Sequence, residues 1–371
     1  MSETATLTPE IILALTPLTE QLQTQLPDLS LSTYSGVLTP RLFSTIQAEL
    51  AAALSAIACF DLGSRTRIRI TGADRLRWLN GMVSNAIQTL PEGQGNYNFI
   101  LNAQGRIQGD AYMYRRANDL LLDTDRSQAQ RLFAHLDHFI IMDDVELQSL
   151  DEATTGIGVY GPNAEAILDS MGLNSSTLPP LHLVETTLAG APVTVVHAFG
   201  ELRPRFELWF APENSLPIWN ALLTAGAVPI GVDAVESLRI LEGTPRYGAD
   251  ITDRHLAQET AQDRALNFTK GCYLGQEIVE RIRSRATVHR TLRQFKVTGT
   301  IPTLPAELRT KENPGAAIGQ LTSLAEIATP EVRGIVAIGS VRVEALERKS
   351  SIVYDGGIVA ALDRPPILYR Q

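Results

Sequence analysis

The sequence predicts an α+β fold of antiparallel sheets that ends in a small β-barrel. Three observations predict it: helix-like and strand-like patterns alternate without a repeating βαβ unit, helical signals thin out after Arg290, and the remainder holds short strands divided by Gly and Pro. The expected divisions are a variable leader over 1–42, α+β lobes over 43–289 and the barrel over 290–371.

In the leader, Pro9, Pro17, Pro27 and Pro40 each remove a backbone donor and interrupt any long helix. The Ala/Leu-rich run 43–59 predicts a helix, and 65–70 alternates charged with apolar residues as a strand does. Gly72 opens a turn, after which Asp74 is placed to cap a helix over 75–83. Strands are expected at 97–101, 110–114 and 120–123, a helix over 127–140, strands near Val145 and Gly158, and a helix over 162–171. In 205–210, alternation sends Phe206, Leu208 and Phe210 to one face and Arg205, Glu207 and Trp209 to the other. Barrel strands are expected at 294–297, 335–343 and 352–360.

Of 371 residues, 44% are hydrophobic and 20% charged, enough apolar content for two or three cored domains. A formal net charge of −9 argues against a broad nucleic-acid or anionic-membrane surface. Locally, 281–296 carries six Lys or Arg and no acid, which reads first as a solvated face at the crossing into the barrel. Cys59 and Cys272 stand far apart without CxxC or His company, which fits a reducing compartment rather than a disulfide framework or structural zinc. No Lys or Arg precedes Arg41, and no apolar run approaches the roughly 20 residues of a membrane span, so the expectation is a cytoplasmic protein.

Chemistry concentrates in 270–277, K-G-C-Y-L-G-Q-E. Gly271 and Gly275 allow positive φ around a thiol, and Lys270 sets a cation near Cys272 where it favours the thiolate. His135 and His138, near Asp137, Asp143 and Asp144, read as surface residues of an amphipathic helix rather than metal ligands. The G-x-G-x-x-G spacing of Gly156, Gly158 and Gly161 lacks the βαβ surroundings of a dinucleotide site.

The octet resembles the K-G-C-Y-x-G-Q-E signature of the YgfZ-type proteins, a branch of the superfamily that includes the aminomethyltransferase (T-protein) of the glycine cleavage system. Three further segments stand in the expected order. Residues 239–250 are similar to the superfamily's R-x-E-x-G-x-x-x-x-G-x-D region, with Glu242 one place late. Residues 102–110 resemble a loop and strand that deliver an aspartate to folate, and Gly72-Ala-Asp74 with Trp78-Leu79 resembles the opening helix. The resemblance implies an aminomethyltransferase-like multidomain fold around a central cavity, with tetrahydrofolate or another reduced folate inside. For this branch it also implies a role in assembly or repair of iron–sulfur clusters in client enzymes, with Cys272 as the reactive residue and Lys270 as its partner.

The same resemblance implies folate contacts from Glu207, Arg239 and Asp110. A flat pterin with N–H donors along one edge needs a carboxylate acceptor and apolar walls, and Tyr112 and Trp209 are the rings expected beside Asp110 and Glu207. The aminomethyltransferases carry two adjacent aspartates where this chain has Gly109-Asp110. One-carbon transfer needs a group to manage the folate nitrogen's proton, so the missing acid makes a folate-dependent aminomethyltransferase, or another one-carbon transferase, the alternative function. The cavity is expected to open toward the thiol loop.

Overall fold

Strands that alternate apolar with charged residues can bury both faces only if the charged faces meet each other, and that is how this chain is built. The computed structural model describes residues 13–285, 288–330 and 332–363. Helix α1 (Pro17–Gln23) is capped by Thr16, whose Oγ1 accepts from the Thr19 N–H at 3.2 Å. The hairpin β1 (Leu31–Tyr34) and β2 (Val37–Pro40) follows, then α2 (Ile46–Ser55), β3 (Ala58–Asp61), β4 (Arg65–Thr71) and α3 (Arg75–Met82). Next come β5 (Gly95–Leu101), β6 (Ile107–Arg115), β7 (Leu120–Asp125), α4 (Arg126–Asp137) and β8 (Glu146–Ser149). A second run adds β9 (Thr155–Tyr160), α5 (Ala164–Ser170), β10 (Leu183–Leu188), β11 (Ala191–Ala198), β12 (Arg205–Phe210), α6 (Ser215–Thr224), β13 (Val228–Pro229) and α7 (Val232–Leu241).

These strands form a five-stranded sheet in the order β5-β6-β7-β4-β8 and a six-stranded sheet in the order β10-β11-β12-β9-β3-β13. Each packs its apolar face under helices. Ala111, Met113, Ile68, Ile70 and Leu122 join Leu132 and Leu136 of α4, while Phe206, Leu208 and Phe210 join Ile218, Trp219 and Leu222 of α6. The opposite faces turn toward one another, and Tyr114 meets Trp209 edge-on across the gap at 5.4 Å. Beyond α8 (Gln276–Arg285) lie β14 (Arg290–Gly299), β15 (Ala306–Thr310), β16 (Asn313–Ala328), β17 (Arg333–Arg342), α9 (Val343–Glu347), β18 (Ile352–Tyr354) and β19 (Gly357–Leu362); the six strands close a barrel.

Some local expectations are corrected. The predicted helix over 43–59 stops at Ser55, and Cys59 is buried in β3 opposite Val159, because Ala56 leaves helical geometry and the chain enters the sheet. Asp74 does not cap α3 with its side chain; its Oδ2 instead accepts the Asp144 N–H at 3.0 Å and ties the turn to the 138–145 loop. The first twelve residues of the expected leader lie outside the described residues. From Thr16 onward the segment is integral to the fold, since Leu18 and Leu22 are buried and the Thr16, Thr19 and Thr39 hydroxyls all donate to the Asp61 carboxylate.

Arg239 of α7 fastens body to barrel. Its guanidinium bonds Glu236, the Thr244 carbonyl, Asp250 at 2.7 Å and Ser323 Oγ of β16 at 2.9 Å, and Asp250 in turn accepts from Ser323 at 2.7 Å and Thr322 at 2.5 Å. Removing one partner of a buried pair leaves an uncompensated charge. Arg239→Ala is therefore expected to destabilise the protein by about 3–5 kcal/mol in denaturant titration.

A ring-walled cavity lined with charge

Where the charged faces meet, a cavity of about 140 Å³ remains. Pairing along the five-stranded sheet sets Arg67 opposite Asp123 and Arg65 opposite Asp125, and on the other flank sets Tyr112 opposite Asp123. Arg65 donates to Asp123 from Nε at 2.9 Å and to Asp125 from Nη1 at 3.0 Å, and Arg67 approaches the second Asp123 oxygen at 3.0 Å. From the facing sheet, Arg205 and Glu207 project inward. The walls are Phe60, Tyr97, Tyr112 and Phe199. Gly158 lies between Phe60 and Glu207 in the sheet, and a Cβ there would meet the Phe60 ring at 2.2 Å; only glycine lets that ring lie flat against the strand. Packing thus accounts for this glycine, which stands inside β9 with Gly156 rather than in a phosphate loop.

Glu207 is buried, yet each of its oxygens accepts one bond: Oε1 from Arg205 at 3.1 Å and Oε2 from the Trp209 indole at 3.0 Å. Burial by itself raises a carboxyl pKa, but Arg205, Arg65, Arg67 and the indole N–H outweigh it and hold Glu207 below the usual carboxylate range. Asp110 is served by neutral donors, the Tyr97 hydroxyl at 2.5 Å and the Gln128 amide at 2.8 Å. Arg264 bonds the Tyr112 hydroxyl at 2.8 Å and stacks over Phe199 at 3.7 Å, closing one side. Burial disfavours its charge, but Tyr112, Tyr97 and Asp110 more than restore it.

Of the residues singled out in the sequence, Asp110, Tyr112, Glu207 and Arg239 line this one cavity. Arg239 presents no spare N–H, since all five are engaged in the joint to the barrel. Trp209 does not line the cavity; it lies behind Glu207, with the Arg67 guanidinium 4.3 Å over its ring. Nor do Lys270 and Cys272 line it, which corrects the expectation that the cavity opens onto the thiol loop. Gly271 and Gly275 do take positive φ, +91° and +81°. The Lys270 ammonium is bonded to the carbonyls of Asn80 at 2.6 Å, Asn85 at 2.7 Å and Val83, which use all three of its donors. Burial draws its pKa down to about 7. Cys272 is exposed. His135 and His138 each meet Phe139 edge-on, at 5.3 and 5.2 Å.

Sequence reasoning missed Arg65, Asp123, Asp125, Arg205 as a counter-charge, and Arg264. The signal was the alternation itself: Arg65 and Arg67, like Asp123 and Asp125, fall two apart on strands whose intervening residues are core.

The family model described as GCVT N-terminal domain matches residues 27–270. An aminomethyltransferase of Thermus thermophilus is 29% identical over 222 residues, 59% of this chain and 64% of the enzyme, so the match spans slightly under two thirds of that relative's length. A protein of Arabidopsis thaliana named as a candidate chloroplastic transferase is 25% identical over 319 residues, 85% of this chain and 72% of its own. In architecture, the glycine cleavage system aminomethyltransferase T of Bartonella henselae superposes with a TM-score of 0.85 at 21% identity, covering 96% of this chain and 98% of that one; the likeness establishes an aminomethyltransferase-like fold.

With its amine removed, the three carbonyls bound by Lys270 lose a charged donor. Lys270→Met is expected to cost about 1–3 kcal/mol of stability and to speed proteolytic cleavage within 267–275, measured by denaturant titration and timed digestion.

Proposed function

The chain belongs to the GCVT N-terminal domain family, and from that premise we propose that its cavity binds tetrahydrofolate or another reduced folate and that the protein assists assembly or repair of iron–sulfur clusters in client enzymes through Cys272. The observation that carries the folate half is Glu207, an anionic carboxylate with one acceptor position left on each oxygen, set beneath a cavity walled by Phe60, Tyr97, Tyr112 and Phe199. A planar bicycle with N–H donors on one edge matches that combination of flat walls and buried acceptor. Asp110 offers a second acceptor, and the partly exposed Arg246 is suited to the carboxylates of a folate tail.

The iron–sulfur half rests on the K-G-C-Y-L-G-Q-E signature and on the exposure of its thiol. Since neither Lys270 nor Cys272 lines the cavity, the thiol in this reading meets a protein client at the surface rather than the folate. A reducing compartment such as the cytoplasm keeps it free. A second reading, folate-dependent aminomethyl or other one-carbon transfer, is favoured by Asp123 and Asp125, which add acids to the cavity that holds Asp110.

Calorimetric titration with tetrahydrofolate is expected to show Glu207→Gln binding weaker than the parent by about 1.5–3 kcal/mol; an unchanged affinity would take Glu207 out of the site. Cys272→Ala is expected to keep full folate affinity while cells relying on it lose iron–sulfur enzyme activity. Steady formation of methylenetetrahydrofolate by the pure parent, supplied with an aminomethylated donor and tetrahydrofolate, would select the second reading instead.

A further inference from the structure

Arg67 and Trp209 do not line the central cavity; they border a second space, a slot of about 310 Å³ between the same two sheets. Their partners do line the cavity. Asp123 lies 3.0 Å from Arg67 Nε, and Glu207 accepts from the Trp209 indole at 3.0 Å. The Arg67 guanidinium, 4.3 Å over the Trp209 ring, is therefore part of the partition between the two spaces.

Strand pairing builds the slot. On the six-stranded sheet, Glu185 of β10 stands opposite Thr194 of β11, and Thr194 opposite Trp209 of β12, so these three side chains form a row on one face. From the five-stranded sheet come Arg67 of β4 and Leu121 of β7, with Arg116 from the turn that joins β6 to β7. Leu121, Leu150, Val193 and Phe210 supply apolar surface.

One charge in this wall is short of acceptors. Arg67 is 1% exposed, yet its Nη2 has no hydrogen-bond partner among the described residues, and its Nη1 reaches the Thr155 carbonyl only at 3.3 Å. Buried donors nearly always have an acceptor, so one without it marks a place for a ligand to supply it. Burial outweighs the nearby Asp123 and Glu207 and draws the Arg67 pKa below its ordinary value, so a further negative charge beside it is favoured. At the more exposed end, Arg116 holds Asp119 through Nε at 2.7 Å and Nη2 at 2.6 Å, and Glu185 through Nη1 at 2.9 Å. The Glu185 side chain is 65% exposed, and so exposed a pair yields readily to an incoming carboxylate.

We propose that this slot is a second binding site, separate from the central cavity, for a small organic acid. The carboxylate lies against the guanidinium groups of Arg67 and Arg116, and the apolar body of the ligand lies on Leu121, Leu150, Val193 and Phe210. Charge-assisted bonds from a guanidinium suit a carboxylate, while the four apolar side chains select an acid with a hydrocarbon body over an inorganic anion. The site does not rest on the folate reading.

The test follows the methyl groups of labelled Ile, Leu and Val residues and the Trp209 indole N–H by NMR, as the protein is titrated separately with benzoate, its neutral isostere benzamide, and inorganic phosphate. Benzoate is expected to give saturable shifts at Leu121, Leu150, Val193 and Trp209, with benzamide and phosphate weaker by about tenfold or more. Arg67→Lys keeps a charge facing Asp123 but loses Nη2, and is expected to weaken benzoate by about tenfold. Since a change at a buried arginine can impair folding, Thr194→Phe supplies an independent arm: it fills the slot without touching a charge and is expected to abolish the shifts. Shifts confined to Ile230, Val232 and Val235, which line the central cavity, overturn the proposal. So do the lack of any saturable benzoate shift, equal binding of benzoate and benzamide, or benzoate affinity unchanged in Thr194→Phe.

Discussion

Charge enclosed between two sheets has to be balanced within those sheets, and the rest of this molecule is arranged around the way that is done. Arg65 and Arg67 on one strand alternate with core residues, and Asp123 and Asp125 on the next do the same, so antiparallel pairing brings each guanidinium to a carboxylate. The facing sheet contributes Arg205 and Glu207. Breaking one member of such a set leaves a buried charge without compensation, which ties the register of both sheets to the charges themselves. A space lined this way is not closed by apolar packing, and it persists as a cavity with rings as walls and acceptors on its floor.

Cavity and thiol loop are separate features that share a scaffold. The ammonium of Lys270 holds the loop to the carbonyls at the end of α3, and Gly275 closes against the Asn102 carbonyl, which a Cβ would approach to 2.6 Å. The loop is therefore positioned by backbone acceptors of the five-stranded lobe. A lysine next to a cysteine in sequence suggests electrostatic activation of the thiol, but a side chain goes where unpaired carbonyls lie, and here the three donors of Lys270 are taken by the carbonyls of Asn80, Val83 and Asn85.

The barrel is joined to the body through Arg239 and Asp250, both within the segment that resembles the superfamily's arginine- and glycine-rich region. In the folded chain this arginine is spent on structure. Tyr160 and the Leu202 N–H occupy Glu242 in the same way, and burial keeps that carboxyl pKa raised. Residues that mark a family in sequence here divide between those that touch the cavity with capacity to spare, such as Glu207 and Asp110, and those that hold its walls in place.

Much of this was legible without coordinates. Period-two alternation gave the strand 205–210 and its two faces, as Phe206, Leu208 and Phe210 in the core and Arg205 and Glu207 at the cavity attest. Gly- and Pro-divided strands gave the C-terminal barrel, and the glycines of 270–277 gave a loop with positive φ. These are local properties, set by how side chains alternate and which residues tolerate unusual backbone angles. The counter-charges of Glu207, the position of Trp209 behind it and the target of the Lys270 amine depend on which strands pair and in what register. Distant segments must first be brought together to establish that, so the sequence by itself determined the faces, and the tertiary structure alone decided what each face would meet.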